Sequence, residues 1–377
     1  MMTNHIAFYQ FCSALRRRGA LALCLALYML GLGLSGSAKE PTIITFDAPD
    51  AGTGAYQGTI GFGISPTGAI IGYYVDANWV YHGFLRAPDG AITEFDAPGA
   101  LATFPYGLNP ARVVTGVYCD ASNCHGFLRA PNGRFITLDD PYAGTGITWP
   151  VNINAAGVIA GDYSDASNVN HGFVRARDGT FTTFDAPGAG TSAGQGTSTP
   201  TFYGLNPAAA ITGDYVDANN VLHGFLRARD GAITEFDAPG AGTGAGQGTW
   251  PGGLNPEGAI AGYYIDASNV NHGFVRARDG TITEFDAPGA GTGAYQGTAV
   301  PSINPAGAIP GQYVDANDVS HGFLRDPHGK FTTFDAPGAG TGPGQGTIPA
   351  GGNNPAGAIT GYFVDASDVF HGFLRTP

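Results

Sequence analysis

The sequence contains little charge and few cysteines for its length. Asp, Glu, Lys and Arg make up 12% of the 377 residues, and only 4 residues are Cys. Acidic residues outnumber basic ones by 30 to 17, so the formal net charge is −13. Nucleic acids and anionic membrane surfaces bind basic faces, so this charge argues against either partner. Cations and neutral polymers are compatible with it.

Helical periodicity and some common catalytic motifs are also missing. After residue 38 no segment repeats its apolar residues with the period of a helix. Neither a His-Glu-x-x-His motif nor a Lys-bearing phosphate-binding loop occurs. The 61 Gly instead favour a β protein with many turns. An enzyme is therefore the less expected class of protein.

The first 38 residues have the composition of a secretory signal peptide. The basic segment Arg16–Arg18 precedes an apolar run at 19–34, and Gly36-Ser37-Ala38 supplies small residues before a cleavage point at Lys39. We therefore predict an exported protein, extracellular, periplasmic or on the cell surface. Its mature chain, residues 39–377, is predicted to be one domain without a later membrane span. An uncleaved N-terminal anchor is the alternative.

Two cysteines lie beyond the predicted signal peptide. Cys119 and Cys124 flank four residues, and in an exported protein such a pair predicts a disulfide. A metal site is the alternative, but zinc sites need a second pair of ligands that this segment lacks. We therefore predict neither a metal nor another cofactor.

A tandem repeat organises the rest of the chain. The tripeptide His-Gly-Phe, followed by Leu or Val and then Arg, occurs seven times at intervals of 43 to 52 residues. The histidines are His82, His125, His171, His223, His272, His321 and His371. Repeats of this length, rich in strand-forming and turn residues, are typical of propellers and solenoids.

Each repeat predicts four short strands, named A to D here. In the copy at 251–288, a short strand A precedes an Asn-Pro turn, B carries Gly-Tyr-Tyr, C carries His-Gly-Phe, and D ends in Phe-Asp. The mature chain begins with a lone strand D at 42–47 and ends with a lone strand C at 371–375. These ends predict an all-β, seven-bladed β-propeller whose N-terminal strand completes the last blade and closes the ring.

This strand order assigns the connections to two faces. The A–B and C–D turns lie on one face, and the B–C and D–A loops lie on the other, named here the D–A face. The Gly-rich D–A loops, such as 238–249, are the longest connections, and long loops usually carry function. We therefore predict that a ligand binds at the D–A face.

Each repeat also places a histidine between two carboxylates near the D–A face. A three-residue C–D turn brings His82 opposite Asp96, while Asp76 ends the neighbouring strand B. The same register predicts the pairs His223–Asp237 and His371–Asp47. Acid–base catalysis or metal binding is one interpretation. A set present in seven copies instead favours a structural role, because catalysis needs one distinct site.

Aromatic residues interrupt the repeat near the D–A face and are the predicted ligand-binding residues. They are Trp79 in a B–C loop and Tyr56, Phe104, Trp149, Phe202, Trp250 and Tyr295 in the D–A loops. Such side chains can stack on sugar rings or grip a peptide. Packing against neighbouring loops, or plugging of a central channel, is the alternative.

The B–C loops offer one further, minor alternative. Their Asp-Ala-Asn and Asp-Ala-Ser sequences place oxygen atoms on alternate residues, as calcium loops do. They lack the Gly and the terminal acid of an EF-hand, and Asp and Asn form such turns without a metal. Calcium is therefore the weaker interpretation.

The whole unit resembles the HAF family of probable extracellular repeats. The resemblance rests on Asn-Pro-x-Gly-x-Ile-x-Gly-Tyr-Tyr-x-Asp, His-Gly-Phe-Leu-Arg and Asp-Gly-x-x-Thr-x-Phe-Asp-Ala-Pro-Gly, and it extends over 42–377. Here the tripeptide has Gly where the family has the Ala of His-Ala-Phe. The resemblance implies export and a repeated β fold, and it carries over no catalytic residues.

We therefore expect a secreted, monomeric binding or scaffold module without catalytic activity. Its partner would be a polysaccharide, a peptide or a cell-envelope protein. An enzyme at the channel mouth, a lyase or a hydrolase, would instead need unlike polar residues contributed by adjacent blades. A purely structural envelope protein is the third hypothesis.

Overall fold

The computed structural model describes residues 40–144, 146–199 and 203–377, and the regular secondary structure in these ranges is all β. The predicted signal peptide at 1–38 lies outside the described residues. Within these ranges no helix is long and apolar enough to cross a membrane.

The strands follow the repeat, so we number the units by the strands they contain. The chain begins with β1 (Thr42–Phe46). Unit 1 contains β2 (Gly58–Ile64), β3 (Ile70–Val75), β4 (Tyr81–Arg86) and β5 (Ile92–Phe95). Unit 2 contains β6 (Ala102–Leu108), β7 (Val114–Cys119), β8 (Cys124–Arg129) and β9 (Phe135–Thr137). Unit 3 contains β10 (Thr148–Ile153), β11 (Ile159–Ser164), β12 (Asn170–Arg175) and β13 (Phe181–Phe184). Unit 4 contains β14 (Gly196–Ser198), β15 (Ile211–Val216), β16 (Leu222–Arg227) and β17 (Ile233–Phe236). Unit 5 contains β18 (Gly248–Leu254), β19 (Ile260–Ile265), β20 (Asn271–Arg276) and β21 (Ile282–Phe285). Unit 6 contains β22 (Gly297–Ala299), β23 (Ile309–Val314), β24 (Ser320–Arg325) and β25 (Phe331–Phe334). The last unit contains β26 (Gly346–Ile348), β27 (Ile359–Val364) and β28 (Phe370–Thr376).

Within a unit the strands pair antiparallel in the predicted order A, B, C, D. The C–D turn of unit 1 is tight, since the Ala87 N–H donates to the Ala91 carbonyl at 2.7 Å and Gly90 has φ 96°. This turn aligns Phe84 with Glu94, as the sequence predicts. Strand A differs from prediction, because in unit 5 it already begins at Gly248, inside the segment 238–249 that was assigned to a loop.

The early start of strand A has a local cause. Its second residue is a fully buried threonine whose hydroxyl accepts a hydrogen bond from the backbone at the end of strand D. In unit 5 the Ala238 N–H donates to Thr249 Oγ1 at 3.0 Å. The loop is thereby tied back to the sheet, and extended backbone begins at once.

The N-terminal strand pairs with the C-terminal one. β1 runs antiparallel to β28, with Thr42 opposite Thr376 and Phe46 opposite Gly372. β28 also pairs with β2, where Gly58 lies beside Phe370 in a parallel bridge. The same parallel bridge joins other consecutive units, as between Tyr81 and Ala102. Unit 7 therefore takes its fourth strand from the N-terminal end and contacts unit 1.

A phenylalanine from strand C fills the centre of each unit. The seven rings are fully buried: Phe84, Phe127, Phe173, Phe225, Phe274, Phe323 and Phe373. In unit 1 the ring lies against Gly72 of strand B, where an added Cβ atom would be only 2.8 Å from the ring. A bare backbone is therefore needed there, and each buried ring stabilises its unit by about 1.5–3 kcal/mol.

Arginines from strand C join consecutive units. The Arg86 guanidinium of unit 1 lies over the Phe46 ring of β1, 4.9 Å from its centroid. Arg227, Arg276, Arg325 and Arg375 stack in the same way on a strand-D phenylalanine of the preceding unit. The repeated arginine thus makes a cation–π contact between units in six copies, whereas Arg175 lies over Phe181 of its own unit.

The A–B turns, of which five are Asn-Pro, meet on the face opposite the D–A face. Asn109 Nδ2 donates to the Asn154 carbonyl at 3.4 Å, and Asn154 Nδ2 donates to the Asn206 carbonyl at 3.4 Å. Asn354 of unit 7 donates to the Ser65 carbonyl of unit 1 at 3.5 Å. Residues from the turns of all seven units border one cavity of about 230 Å³.

Removing the N-terminal strand should strongly destabilise the protein. A mature chain that lacks residues 39–48 loses the β1–β28 pairing and the packing of the Phe46 ring against Gly372 and Arg86. Phe46 is half-buried, so its loss alone costs less than the roughly 3–5 kcal/mol of a fully buried Phe. Because the strand pairing is lost with it, we still expect the thermal midpoint to fall by more than about 5 °C. A chain starting at Thr42 is the control, since it keeps the strand. An unchanged midpoint in the longer deletion would contradict a structural role for β1.

Candidate functional site

The histidines of the D–A face each contact two carboxylates. His82 Nδ1 lies 2.7 Å from Asp96 Oδ2, and its Nε2 lies 3.8 Å from Asp76 Oδ2. The His223–Asp237 and His371–Asp47 pairs have Nδ1–carboxylate distances of 2.9 and 3.0 Å. In unit 7 the pair joins β28 to the end of β1, so it ties the two ends of the chain together.

Each imidazole is also held from one side by an aromatic ring of strand B. The His82 ring stacks on Tyr74 at 5.0 Å, and the His371 ring stacks on Phe363 at 4.9 Å. The same arrangement recurs in all seven units with nearly the same distances. None of these histidines therefore stands out as a distinct catalytic centre.

The B–C loops use their aspartates to build the turn. Asp76 Oδ1 accepts the backbone N–H groups of Asn78 and Val80, both at 2.8 Å. These bonds hold the pKa of the Asp76 carboxyl below its ordinary value. The loop oxygen that a calcium ion would need is thus committed to the loop's own backbone. In unit 2 the corresponding loop is closed by the predicted disulfide, Cys119–Cys124, which the structure confirms.

Three of the predicted aromatic residues are exposed on the D–A face. The exposed fractions of Tyr56, Trp79 and Tyr295 are 61%, 55% and 75%. All three have a left-handed backbone, with φ of 62°, 65° and 66°. The corresponding left-handed residues in other units are Gly, Asn or Asp, such as Gly246, Asn269 and Asp318. Bulky residues rarely adopt this conformation, so these positions carry backbone strain.

The other aromatic residues lie elsewhere than predicted. Phe104, Trp149 and Trp250 belong to strands β6, β10 and β18, not to the D–A loops, because strand A begins earlier than the Asn-Pro turn suggested. They are half-buried on the inner strands. Trp250 stacks on Tyr263 at 5.7 Å. Phe202 lies outside the described residues.

Phe104 and Trp149 line a cavity of about 310 Å³ with inner-strand residues of units 1 to 3. The lining consists of Phe62, Tyr73, Phe104, Tyr106, Trp149, Val151 and Asp162. The rings contact one another, since Tyr73 and Phe104 are 5.3 Å apart and Tyr106 and Trp149 are 6.2 Å apart. Five aromatic rings and one carboxylate therefore surround one space, and no Lys or Arg is among the described residues that line it.

The carboxylate comes from a variable position of strand B, the residue after its glycine. This position holds Tyr73, Val117, Asp162, Asp214, Tyr263, Gln312 and Tyr362 in units 1 to 7. Asp162 Oδ1 accepts the backbone N–H of Thr199 at 3.0 Å and its hydroxyl at 3.3 Å. Burial nevertheless raises the pKa of Asp162 to about 6.

Asp214 occupies the same position in the next unit. It is 3% exposed, and its Oδ1 has no hydrogen-bond partner among the described residues. Burial, followed by the charge of Asp162, raises the pKa of Asp214 to about 8. Sequence analysis did not single out either aspartate. The sequence feature that could have indicated them is the change from tyrosine to aspartate at the residue after the strand-B glycine.

Tyr203 is another departure from the repeat. The segment from the start of strand A to the Asn-Pro turn has twelve residues in unit 4, Gly196–Pro207, and nine in unit 5, Gly248–Pro256. The Tyr203 hydroxyl donates to the Gly351 carbonyl of unit 7 and accepts the Ile64 N–H of unit 1 at 3.3 Å. The longer segment thus lets one side chain reach two distant units.

One segment fits a hydrolase motif by sequence alone. Residues 190–194 read Gly-Thr-Ser-Ala-Gly, which matches Gly-x-Ser-x-Gly. The motif works at a sharp turn between a strand and a helix, whereas Ser192 is exposed in the loop between β13 and β14. Its N–H donates to Gln195 Oε1 at 3.0 Å. The local structure is therefore not that of a nucleophile elbow.

Comparison with solved structures identifies the architecture. The structure is similar to virginiamycin B lyase from Staphylococcus aureus, with 17% identity and a TM-score of 0.55 over 90% of this chain and 100% of the lyase. A streptogramin B lyase structure has 17% identity and a TM-score of 0.54 over 89% and 98% of the two chains. Puromycin hydrolase has 12% identity and a TM-score of 0.52 over 82% of this chain and 51% of the hydrolase.

The chain has a β-propeller fold. The identities are too low to transfer an activity, because one fold carries many functions. No protein-family model matches the chain, and no curated protein matches it.

The buried Asp214 should make the stability of this propeller depend on pH. A carboxyl whose pKa is raised by folding holds its proton more tightly in the folded state, so its destabilising effect grows as the pH rises from about 4 to about 8. Asp214→Asn removes this effect. We expect the thermal midpoint of the variant, relative to the original chain, to rise by at least about 2 °C between pH 5 and pH 8.5.

Asp178→Asn is the control for that measurement. Asp178 is exposed, and hydrogen bonds from Thr180 lower its pKa, so its contribution is lost only toward acid pH. Its midpoint difference should not grow between pH 5 and pH 8.5. A pH-independent difference for Asp214→Asn would contradict the raised pKa.

The left-handed tyrosines yield a second stability prediction. At position 295 the backbone has φ 66°, and units 4, 5 and 7 have Gly there. The substitution Tyr295→Gly introduces the same residue. Because a left-handed conformation costs an L-residue about 1–2 kcal/mol, we expect the variant to be as stable as the original chain or more stable in urea unfolding. The neighbouring Ala294→Gly should be less stable, since Gly there only adds freedom to the unfolded chain. A marked loss of stability in Tyr295→Gly would show that its side chain stabilises the fold.

Proposed function

We propose that the units are the seven blades of a closed propeller in an exported, monomeric protein of the HAF type. The pairing of β1 with β28, the stacking of Arg86 on Phe46 and the Asn354–Ser65 hydrogen bond support closure between units 7 and 1. The disulfide and the N-terminal composition support export through cleavage of residues 1–38.

We further propose that the protein is a non-catalytic binding module for carbohydrate. The observation that carries this proposal is the cavity in which five aromatic rings from units 1 to 3 converge with the Asp162 carboxylate. Sugar rings present apolar C–H faces that pack on aromatic rings and hydroxyls that hydrogen-bond to a carboxylate. A cavity of about 310 Å³ lies at the small end of ligand pockets, so it suits a single sugar residue, free or at the end of a glycan.

The proposed binding site is lined by inner-strand residues, whereas the sequence predicted a site on the loops of the D–A face. The exposed Tyr56, Trp79 and Tyr295 lie on the D–A face and would contact the remainder of a longer glycan, in which case the strain of their backbone serves binding. Phe104 and Trp149 would hold the bound residue itself. A peptide or an envelope protein would use the exposed aromatic residues without entering the cavity.

An enzyme acting at the same cavity is the second candidate. Asp162 and Asp214 come from adjacent units and have different pKa values, as an acid–base pair requires. Incubation of each bound glycan with the protein, followed by mass spectrometry of the products, separates the two functions. Product formation that is lost in Asp162→Asn would replace the non-catalytic proposal.

Binding should depend on one of two equivalent tryptophans. Trp149 and Trp250 occupy the same place in units 3 and 5, but only Trp149 lines the aromatic cavity. In a glycan screen followed by calorimetry, we expect Trp149→Ala to weaken binding at least about tenfold, since stacking on an aromatic ring contributes about 1 kcal/mol or more beyond its area. Trp250→Ala is the matched control and should bind within about twofold of the original chain.

Other results would assign the site differently. Loss of binding in Tyr295→Ala with unchanged binding in Trp149→Ala would place the ligand on the D–A face. Equal effects of the two tryptophan changes would contradict the cavity as the binding site. Thermal midpoints of all variants confirm that each one folds.

A further inference from the structure

The aromatic cavity combines two features that act on the same kind of ligand. The faces of aromatic rings are electronegative, and five rings line the cavity. The charged group in the lining is the carboxylate of Asp162, and neither Lys nor Arg accompanies it. Both features attract a cation and repel an anion.

The neighbouring carboxyl of Asp214 would also respond to a bound cation. Asp214 is buried, its Oδ1 is unpartnered among the described residues, and Asp162 is the charged side chain that most affects it. The residues at its position in units 1, 3, 5 and 6, which are Tyr73, Asp162, Tyr263 and Gln312, all line inner cavities. A buried carboxyl without a partner is costly, so a positive group on the ligand would supply what the protein does not.

We propose that the ligand presents a protonated amine or a quaternary ammonium group to this cavity, as an amino sugar does. The proposal rests on the proposed function, because it assumes that the cavity is the ligand site. Tyr73, Phe104 and Trp149 enclose the cation with their ring faces. Asp162, held through Oδ1 by Thr199, supplies the countercharge. A bound cation would also favour the ionised form of the neighbouring Asp214.

Other ligand groups fit these residues less well. A neutral sugar hydroxyl leaves the Asp162 carboxylate without a countercharge. A metal ion would need more ligands, and in the described residues no group of three or more His, Cys, Asp or Glu side chains is arranged to hold one. An ammonium group combines positive charge with the apolar surface that five rings require.

A pair of small molecules of the same shape tests the proposal on the mature chain. Choline carries a quaternary ammonium, and 3,3-dimethylbutan-1-ol is its neutral counterpart, with carbon in place of nitrogen. We expect titration followed by tryptophan fluorescence and calorimetry to show choline binding at least about tenfold more tightly. Glucosamine and galactosamine should likewise bind more tightly than glucose and galactose.

Variants assign the preference to the carboxylate and to the rings. Asp162→Asn should reduce choline affinity to about that of the neutral alcohol while leaving the alcohol within about twofold. Trp149→Ala should weaken both compounds. Asp165→Asn, which changes a B–C loop carboxylate outside the cavity, should change neither. If Asp162→Asn does not fold, the choline comparison on the original chain decides alone.

The outcomes distinguish this inference from the proposed function. Equal binding of the charged and neutral compounds, or binding of neutral sugars only, overturns the amine while the cavity stays a ligand site. Choline binding that Trp149→Ala does not weaken overturns the cavity as the ammonium site. A protein that binds neither choline nor any sugar overturns both proposals.

Discussion

The packing of one phenylalanine ring against a bare strand-B backbone is the contact on which the rest of this structure depends. In unit 1 the Phe84 ring is fully buried and leaves no room for a Cβ atom at Gly72. The same contact in units 1 to 6 keeps strands B and C close, and the strand-C arginine stacks on the preceding unit in six of the seven copies. Because the core of each unit is so small, hydrogen bonds of buried threonines, turn asparagines and histidine–aspartate pairs supply the remaining connections between strands.

Because these repeated residues hold the strands together, the inner-strand side chains can differ from unit to unit. The residues that hold the frame repeat seven times and face the interior of a unit or the D–A face. The residue after the strand-B glycine lines inner cavities in units 1, 3, 5 and 6, and over the seven units it ranges from Tyr73 and Val117 to Asp162 and Asp214. The unlike side chains of units 1 to 4 therefore come together without disturbing the frame. The features that are most frequent in the sequence are structural, and the candidate site consists of those that occur once or twice.

Much of the fold could be predicted because its determinants are local. The three-residue C–D turn sets which residues of strands C and D face each other, so Phe84–Glu94 and His82–Asp96 follow from counting. The disulfide spans only five residues. The start of strand A was predicted less well, because the hydrogen bond to its threonine comes from a backbone group eleven residues away in most units. Turn residues in the sequence indicate only contacts between residues much closer in the chain.

The sequence by itself determined the repeat, the strand order, the histidine–aspartate register and the class of the fold, since each of these depends on residues close together in the chain. Only the tertiary structure decided where the site lies. Asp162 and Asp214 are 52 residues apart, and Phe62 and Trp149 are 87 apart, so their proximity depends on how the units are arranged around the inner cavities. Burial in that arrangement also sets the pKa values of the two aspartates, because the loss of water around a carboxyl is a property of the packed protein and not of the segment that carries it.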